Sequence, residues 1–236
     1  MSGEKQLLLG LTTTPGSNWR DKVEEIKQLN LREVALLPTA LPAAERQTLY
    51  RLLEATSLEA IPCVHLRDDF SLAEVDYLAS RFKVKAFTCH ADLKGYALLD
   101  SLPKYNSIIY VENFSQEEAD KFFTQEYFTK HQVSGICLDL AHLEEARRLS
   151  KRHYKRLVAM LAKYPARVNH ISGVKTSALF KIFNKTAVDH SLDSLNDLAY
   201  LKQIPPQYFG RYIVIELENS FLEQTEVRKF LETIIQ

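Results

Sequence analysis

Short apolar runs separated by segments of helical periodicity recur along the whole chain, and this alternation constrains the fold more than any single motif. The runs cover residues 7–13, 33–39, 61–66, 85–90, 107–113, 134–140, 166–172 and 212–219. Each is rich in β-branched, aromatic or other apolar residues and stops at small or polar ones. Strands buried on both faces have this character. Between them, residues 19–29 put Val23, Ile26 and Leu29 on one helical face, and residues 43–53 do the same with Leu49, Leu52 and Leu53. Residues 71–80 open on Ser71 with Glu74 three positions on, the pattern of a capping box, and residues 115–123 repeat it with Ser115 and Glu118. Residues 143–164 read as the longest helix and residues 222–235 as the last.

Regular strand–helix alternation implies parallel strands joined by right-handed crossovers. Eight such units can close into a barrel or lie open as a doubly wound sheet. No glycine-rich dinucleotide loop follows the first run, and the 236 residues suit a barrel of this class. The expectation is an α/β fold, a (β/α)8 TIM barrel, with residues 1–236 as a single domain.

Charge and cysteine usage narrow the setting. The formal net charge is zero, so no global field steers the chain to nucleic acid or anionic lipid. No apolar run approaches the roughly 18–20 residues that span a bilayer, and the N-terminal stretch lacks the character of a secretory signal. The three cysteines, Cys63, Cys89 and Cys137, form no CxxC pair and point to a reducing, cytosolic compartment. They read as small apolar fillers of the barrel. The basic run at residues 147–156 (RRLSKRHYKR) reads as a solvated helix face, with Leu149, Leu157 and Leu161 packing inward.

Titratable residues gather where the proposed strands stop. His65, His90, Glu112 and Asp139 end strands three to six, and His142 follows Asp139. His170 lies late in strand seven, His190 follows in the next loop, and Glu216 and Glu218 lie in strand eight. Of the seven histidines, only His131 and His153 lie elsewhere. In a parallel barrel all strand C-termini meet at one face, so residues distant in sequence surround one hole. Carboxylates pointing into one cavity repel, and a divalent cation removes that penalty. Mixed nitrogen and oxygen donors suit zinc, manganese, iron or cobalt better than calcium. Asp139 also stands where a helix cap belongs, and Arg67 follows His65 at a position suited to contacting substrate.

The fragments at residues 64–66 (VHL), 110–113 (YVEN), 137–142 (CLDLAH), 169–172 (NHIS), 189–192 (DHSL) and 215–218 (IELE) occur in an order that resembles the xylose-isomerase-like barrel superfamily. That group holds sugar isomerases and epimerases together with endonuclease-IV-type metal phosphodiesterases. The resemblance implies that Glu112, Asp139, His170 and Glu216 are metal ligands, with Glu112 and Glu216 also serving as the acid–base pair. It implies substrate contacts for His142, His65 and His90. His65, His90 and His190 also have counterparts in the multi-zinc site of the endonuclease branch, and Glu218 shares the face of Glu216. The chain departs from the family in lacking its glycine-rich turn after Asp189–His190, and in placing those two residues side by side. Three functions follow as expectations: a Zn2+- or Mn2+-dependent isomerase or epimerase of a small sugar or sugar phosphate, a zinc phosphodiesterase or abasic-site endonuclease-like hydrolase, or a non-catalytic binding barrel.

Overall fold

The computed structural model describes residues 4–113, 119–175 and 187–235. Eight parallel strands close on themselves: β1 (Gln6–Thr12), β2 (Ala35–Leu37), β3 (Cys63–His65), β4 (Ala86–His90), β5 (Ile109–Glu112), β6 (Ile136–Asp139), β7 (Ala166–Ile171) and β10 (Tyr212–Ile215). The closing pair is β1 with β10, through Gln6 to Leu9 beside Tyr212 to Ile215. The fold is the expected (β/α)8 barrel. All strands but β1 are shorter than the apolar runs, because pairing ends where the chain leaves the barrel wall.

Eight parallel strands leave two buried faces, and alternation assigns side chains to each. Leu8, Ala35, Leu37, Cys63, Ala86, Cys137, Val168, Tyr212 and Val214, with Tyr110 against them, fill the barrel interior. The larger set, including Leu9, Leu11, Leu36, Val64, Phe87, Val111, Ile171 and Ile215, faces outward and packs under the helices. Cys63 and Cys137 are interior fillers as expected, whereas Cys89 lies in the outer layer.

The helices are α1 (Trp19–Gln28), α2 (Ala43–Glu54), α3 (Leu72–Arg81), α4 (Leu93–Ser101), α5 (Ala119–Phe122), α6 (Gln125–Lys130), α7 (Leu140–Leu149), α8 (Lys151–Leu161) and α9 (Phe221–Glu232). The expected helix over residues 143–164 is two helices. Ser150 interrupts it in an extended conformation and caps α8 by accepting from the His153 amide. Serine favours that arrangement because its hydroxyl replaces a backbone partner. Leu149, expected to pack inward, is exposed at this break, while Leu157 is buried. Leu29 is likewise exposed, past the end of α1.

The Ser71 cap forms, with its side chain accepting from the Glu74 amide. The carboxylate of Glu74 does not return to the cap. It receives Arg46 Nε at 2.8 Å and Tyr50 Oη at 2.7 Å, tying α3 to α2. The reciprocal capping box stands instead at Ser220 and Glu223, where α9 begins. The expected cap at Ser115 and Glu118 lies outside the described residues. Between β7 and β10 the sequence marks a loop at His190. The chain there forms an antiparallel pair, β8 (Gly173–Lys175) with β9 (Ala187–Asp189), and a 3-10 helix over Leu195–Gln203. Among the described residues, no helix is long and apolar enough to cross a membrane.

Candidate metal centre

Period two carries the interior face upward from the filler layer to the C-terminal rim. Two residues beyond Cys63 stands His65, beyond Tyr110 stands Glu112, beyond Cys137 stands Asp139, beyond Val168 stands His170, and beyond Val214 stands Glu216. Glu216 lies one residue past β10, yet its amide still donates to the Ile171 carbonyl at 2.8 Å, which keeps the alternation intact. Each polar residue therefore turns inward for the same reason as the apolar one below it.

Glu112, Asp139, His170 and Glu216 converge with one donor atom each, all within 4.8 Å of one another, and all four are buried. His170 Nδ1 lies 3.2 Å from Glu112 Oε2 and 3.1 Å from Glu216 Oε2. A second group, His65, His90 and Glu112, meets the same criterion and shares Glu112 with the first. His65 Nδ1 sits 3.2 Å from Glu112 Oε2 and 3.0 Å from the Thr88 hydroxyl. The imidazoles of His65 and His90 are 4.7 Å apart between ring centres. A third combination, Glu112, Cys137 and His170, is also compact. Burial pushes the Cys137 thiol up to about 12, so it enters this centre as a neutral filler.

Two observations test whether these residues fit a cation. Glu112 Oε2 and His170 Nδ1 are fully enclosed and make no hydrogen bond, although their distance is short enough for one. Donors arranged around a common ion about 2.0–2.2 Å away lie roughly 3–3.5 Å from each other without pointing at each other. Buried polar atoms left so are rare and call for an explanation. The second is charge. The three carboxylates outnumber the single imidazole, so the group is negative in any state of His170, and no Lys or Arg pairs with it among the described residues. The residues present fit a divalent ion with nitrogen and oxygen ligands.

The electrostatics follow from this crowding. Burial opposes charge on Glu112, but His170 and then His65 outweigh it and hold the carboxyl well below its ordinary value. Glu216 is lowered in the same way, with His170 and His190 overcoming burial. Asp139 moves the other way: burial, together with the nearby charges of Glu112 and Glu216, raises it despite His142. His170 is buried, yet the carboxylates of Glu112 and Glu216 raise it well above the usual imidazole value.

Asp139 also caps α7, its Oδ1 accepting from the His142 amide at 2.8 Å. The cap and the centre are compatible because a carboxylate has two oxygens. Asn113 brackets the same residue: its Oδ1 accepts from the Asp139 amide at 2.7 Å and its Nδ2 donates to the Asp139 carbonyl at 3.1 Å. The sequence carried Asn113 only as part of a fragment. Its supporting role appears once β5 and β6 are adjacent.

The remaining candidates divide by distance. His142 stands beside Asp139, with its Nδ1 3.5 Å from Glu145; burial would depress it, but Asp139 and Glu145 raise it to about 9. His190 is at the edge of the centre, its Nδ1 donating to the Glu216 backbone carbonyl at 3.2 Å and lying 3.9 Å from its carboxylate. Glu218 is not in the grouped donors of the centre. Its carboxylate accepts from the Thr14 amide and hydroxyl, one step further along the rim, just past the end of β1. Arg67 lies outside the metal groups, in the wall of a cleft of about 260 Å³ that also includes His65, His90, Asp68, Asp92 and Lys94.

No protein-family model matches this chain, and a search of curated proteins finds no match. The functional reading therefore stands on the fold and on this centre.

Proposed function

We propose that the protein is a divalent-metal-dependent isomerase or epimerase of a small sugar or sugar phosphate, a member of the xylose-isomerase-like barrel superfamily that its motifs resemble. The observation that carries this reading is the buried convergence of Glu112, Asp139, His170 and Glu216 at the C-terminal mouth of the barrel. These four hold the ion. When bound, a divalent cation of the zinc or manganese type polarises carbonyl and hydroxyl oxygens of a substrate. Glu112 and Glu216 stay ionised beside His170 and can take up and return a proton at a carbon next to a carbonyl. His142 holds a substrate hydroxyl, and His65, His90 and Arg67 line the adjoining cleft. The volume of that cleft suits a small polar molecule. The three free, buried thiols fit a reducing, cytosolic setting.

One observation favours a second reading. Glu112 belongs also to the group with His65 and His90, so a second ion would share it. Two-ion centres with a bridging carboxylate suit hydrolysis of phosphate esters. Metal analysis of the purified protein, followed by assays on an aldose–ketose panel and on a small phosphodiester, tests both. One equivalent of metal with sugar turnover supports the first reading, and two or more with ester cleavage supports the second. Protein that neither retains nor responds to divalent metal overturns both in favour of a non-catalytic binding barrel.

A further inference from the structure

The opposite end of the barrel carries a second cavity, of about 400 Å³, lined by Lys85, Tyr110, Ser134, Arg167, Arg211 and Tyr212 among others. Its position follows from the topology. Lys85 immediately precedes β4, Arg167 is the second residue of β7, and Arg211 immediately precedes β10. With β5 and β6 between β4 and β7, and β10 beyond β7, these residues form an arc along the N-terminal rim. Tyr110 and Tyr212 close the interior from below: they belong to the filler layer, two residues beneath Glu112 on β5 and four beneath Glu216 on the last strand.

The lining of this cavity is polar and cationic. The chain as a whole is neutral, and a number of its exposed cations pair with carboxylates, as Lys94 does with Asp68 and Arg32 with Glu59. None of the residues lining the cavity is acidic. Among the described residues, Lys85, Arg167 and Arg211 form no ion pair. Burial raises the phenols of Tyr110 and Tyr212 above their ordinary value, which keeps them as hydrogen-bond donors. Three unpaired cations around one concavity create a positive potential that like-charge repulsion makes costly unless an anion relieves it. Two guanidiniums offer the forked donors that match phosphate oxygens, and the lysine adds a point charge. Catalytic sites of such barrels lie at the other end, so this one is a separate ligand site.

We propose that the N-terminal mouth of the barrel binds a small polyanion bearing two or more phosphate groups, held by Arg167, Arg211 and Lys85. The cavity is of the size that encloses a small ligand, and its walls, built from strand ends, are rigid. This assignment is independent of the reaction at the metal centre.

The test uses inorganic pyrophosphate as probe, followed by calorimetry at low salt on the full chain. An R167Q/R211Q double variant changes only exposed side chains and leaves the metal ligands untouched. Pyrophosphate also binds metals, so the measurement is repeated on Glu112→Gln, which disables the other end. The expected result is binding that weakens at least tenfold in R167Q/R211Q and several-fold in Lys85→Gln, and that survives in Glu112→Gln. Affinity unchanged in the double variant, or lost in Glu112→Gln, places the probe at the metal end and overturns the proposal, as does an absence of binding. A short single-stranded oligonucleotide that binds through the same arginines while pyrophosphate does not would overturn the small-ligand assignment in favour of a nucleic-acid contact.

Discussion

Glu112 is the residue on which the candidate centre turns. It lies within 3.2 Å of both His65 and His170 and belongs to every compact group of donors found here. Its replacement by glutamine keeps volume and removes charge and basicity. Glu112→Gln is expected to lower bound metal to near zero and to reduce kcat/KM by at least ~10³-fold, a loss comparable to that of a major electrostatic catalytic group. Metal analysis and steady-state kinetics on one preparation check it, and wild-type turnover would remove Glu112 from the mechanism. A second residue makes a separate, pH-dependent prediction. Lys22 is buried under the end of the last strand, donating to the Leu217 and Asn219 carbonyls. Burial lowers its pKa to about 8, even though Glu25, Glu218 and Glu223 pull it upward. An unfolded lysine titrates at about 10.4. Between those values the unfolded state binds more protons than the folded one, so this group makes stability rise with pH, by roughly 3 kcal/mol across the window. Below pH 8 both states are charged and the contribution to the slope vanishes. Urea unfolding from pH 8 to 10 should show Lys22→Met losing this upward component. Equal slopes in the two proteins would refute the assignment.

Helix pairing is set by a few buried polar contacts as much as by the apolar faces. Arg46 on α2 is wholly enclosed and reaches Glu74 on α3 through two nitrogens, at 2.8 and 2.9 Å, as well as Asp69 and the Leu41 carbonyl. Tyr50 completes the satisfaction of Glu74. Removing the cation strands a buried carboxylate, which typically costs about 3–5 kcal/mol. Arg46→Met is expected to destabilise by that amount in chemical denaturation, and the R46M/E74Q pair to recover part of the loss. A double variant no better than the single would mean that packing, not charge, dominates. This network also shows where local sequence signals stop. The Ser71-to-Glu74 spacing marks a helix start correctly, but it cannot tell that the carboxylate has a stronger partner on another helix. In the same way, periodicity across residues 143–164 reads as one helix, because the cost of breaking it at Ser150 is recovered by capping and by contacts that no local pattern contains.

The proposed metal binding would link the centre to the stability of the entire barrel, since Glu112, Asp139, His170 and Glu216 come from β5, β6, β7 and the residue after β10. A ligand that binds only the folded state stabilises by about 2.7 kcal/mol at a hundredfold excess over Kd. For a chain of 236 residues that corresponds to a rise in Tm of roughly 5–10 °C. Calorimetric scans after chelation, and after adding back Zn2+ or Mn2+, should differ by that margin for the cognate ion. A Tm indifferent to both ions and to chelator would contradict a structural link between the ion and the barrel.

The one-dimensional pattern sufficed for the barrel and for the membership of its mouth. Eight apolar runs require eight buried strands, and a side-chain period of two sends Glu112, Asp139 and His170 to the same side as the small residues beneath them. What that pattern could not contain is the outcome at chain bends and between strands. Glu216 and Glu218 have equal claims by alternation, and only the neighbouring Thr14, just past β1, which engages the Glu218 carboxylate, separates them. The bracketing of Asp139 by Asn113 and the arc of Lys85, Arg167 and Arg211 are likewise invisible along the chain. Each depends on which strands become neighbours and how far one is staggered against the next. Those quantities belong to the closed sheet, because closure is a condition on all eight strands together and on no one of them alone.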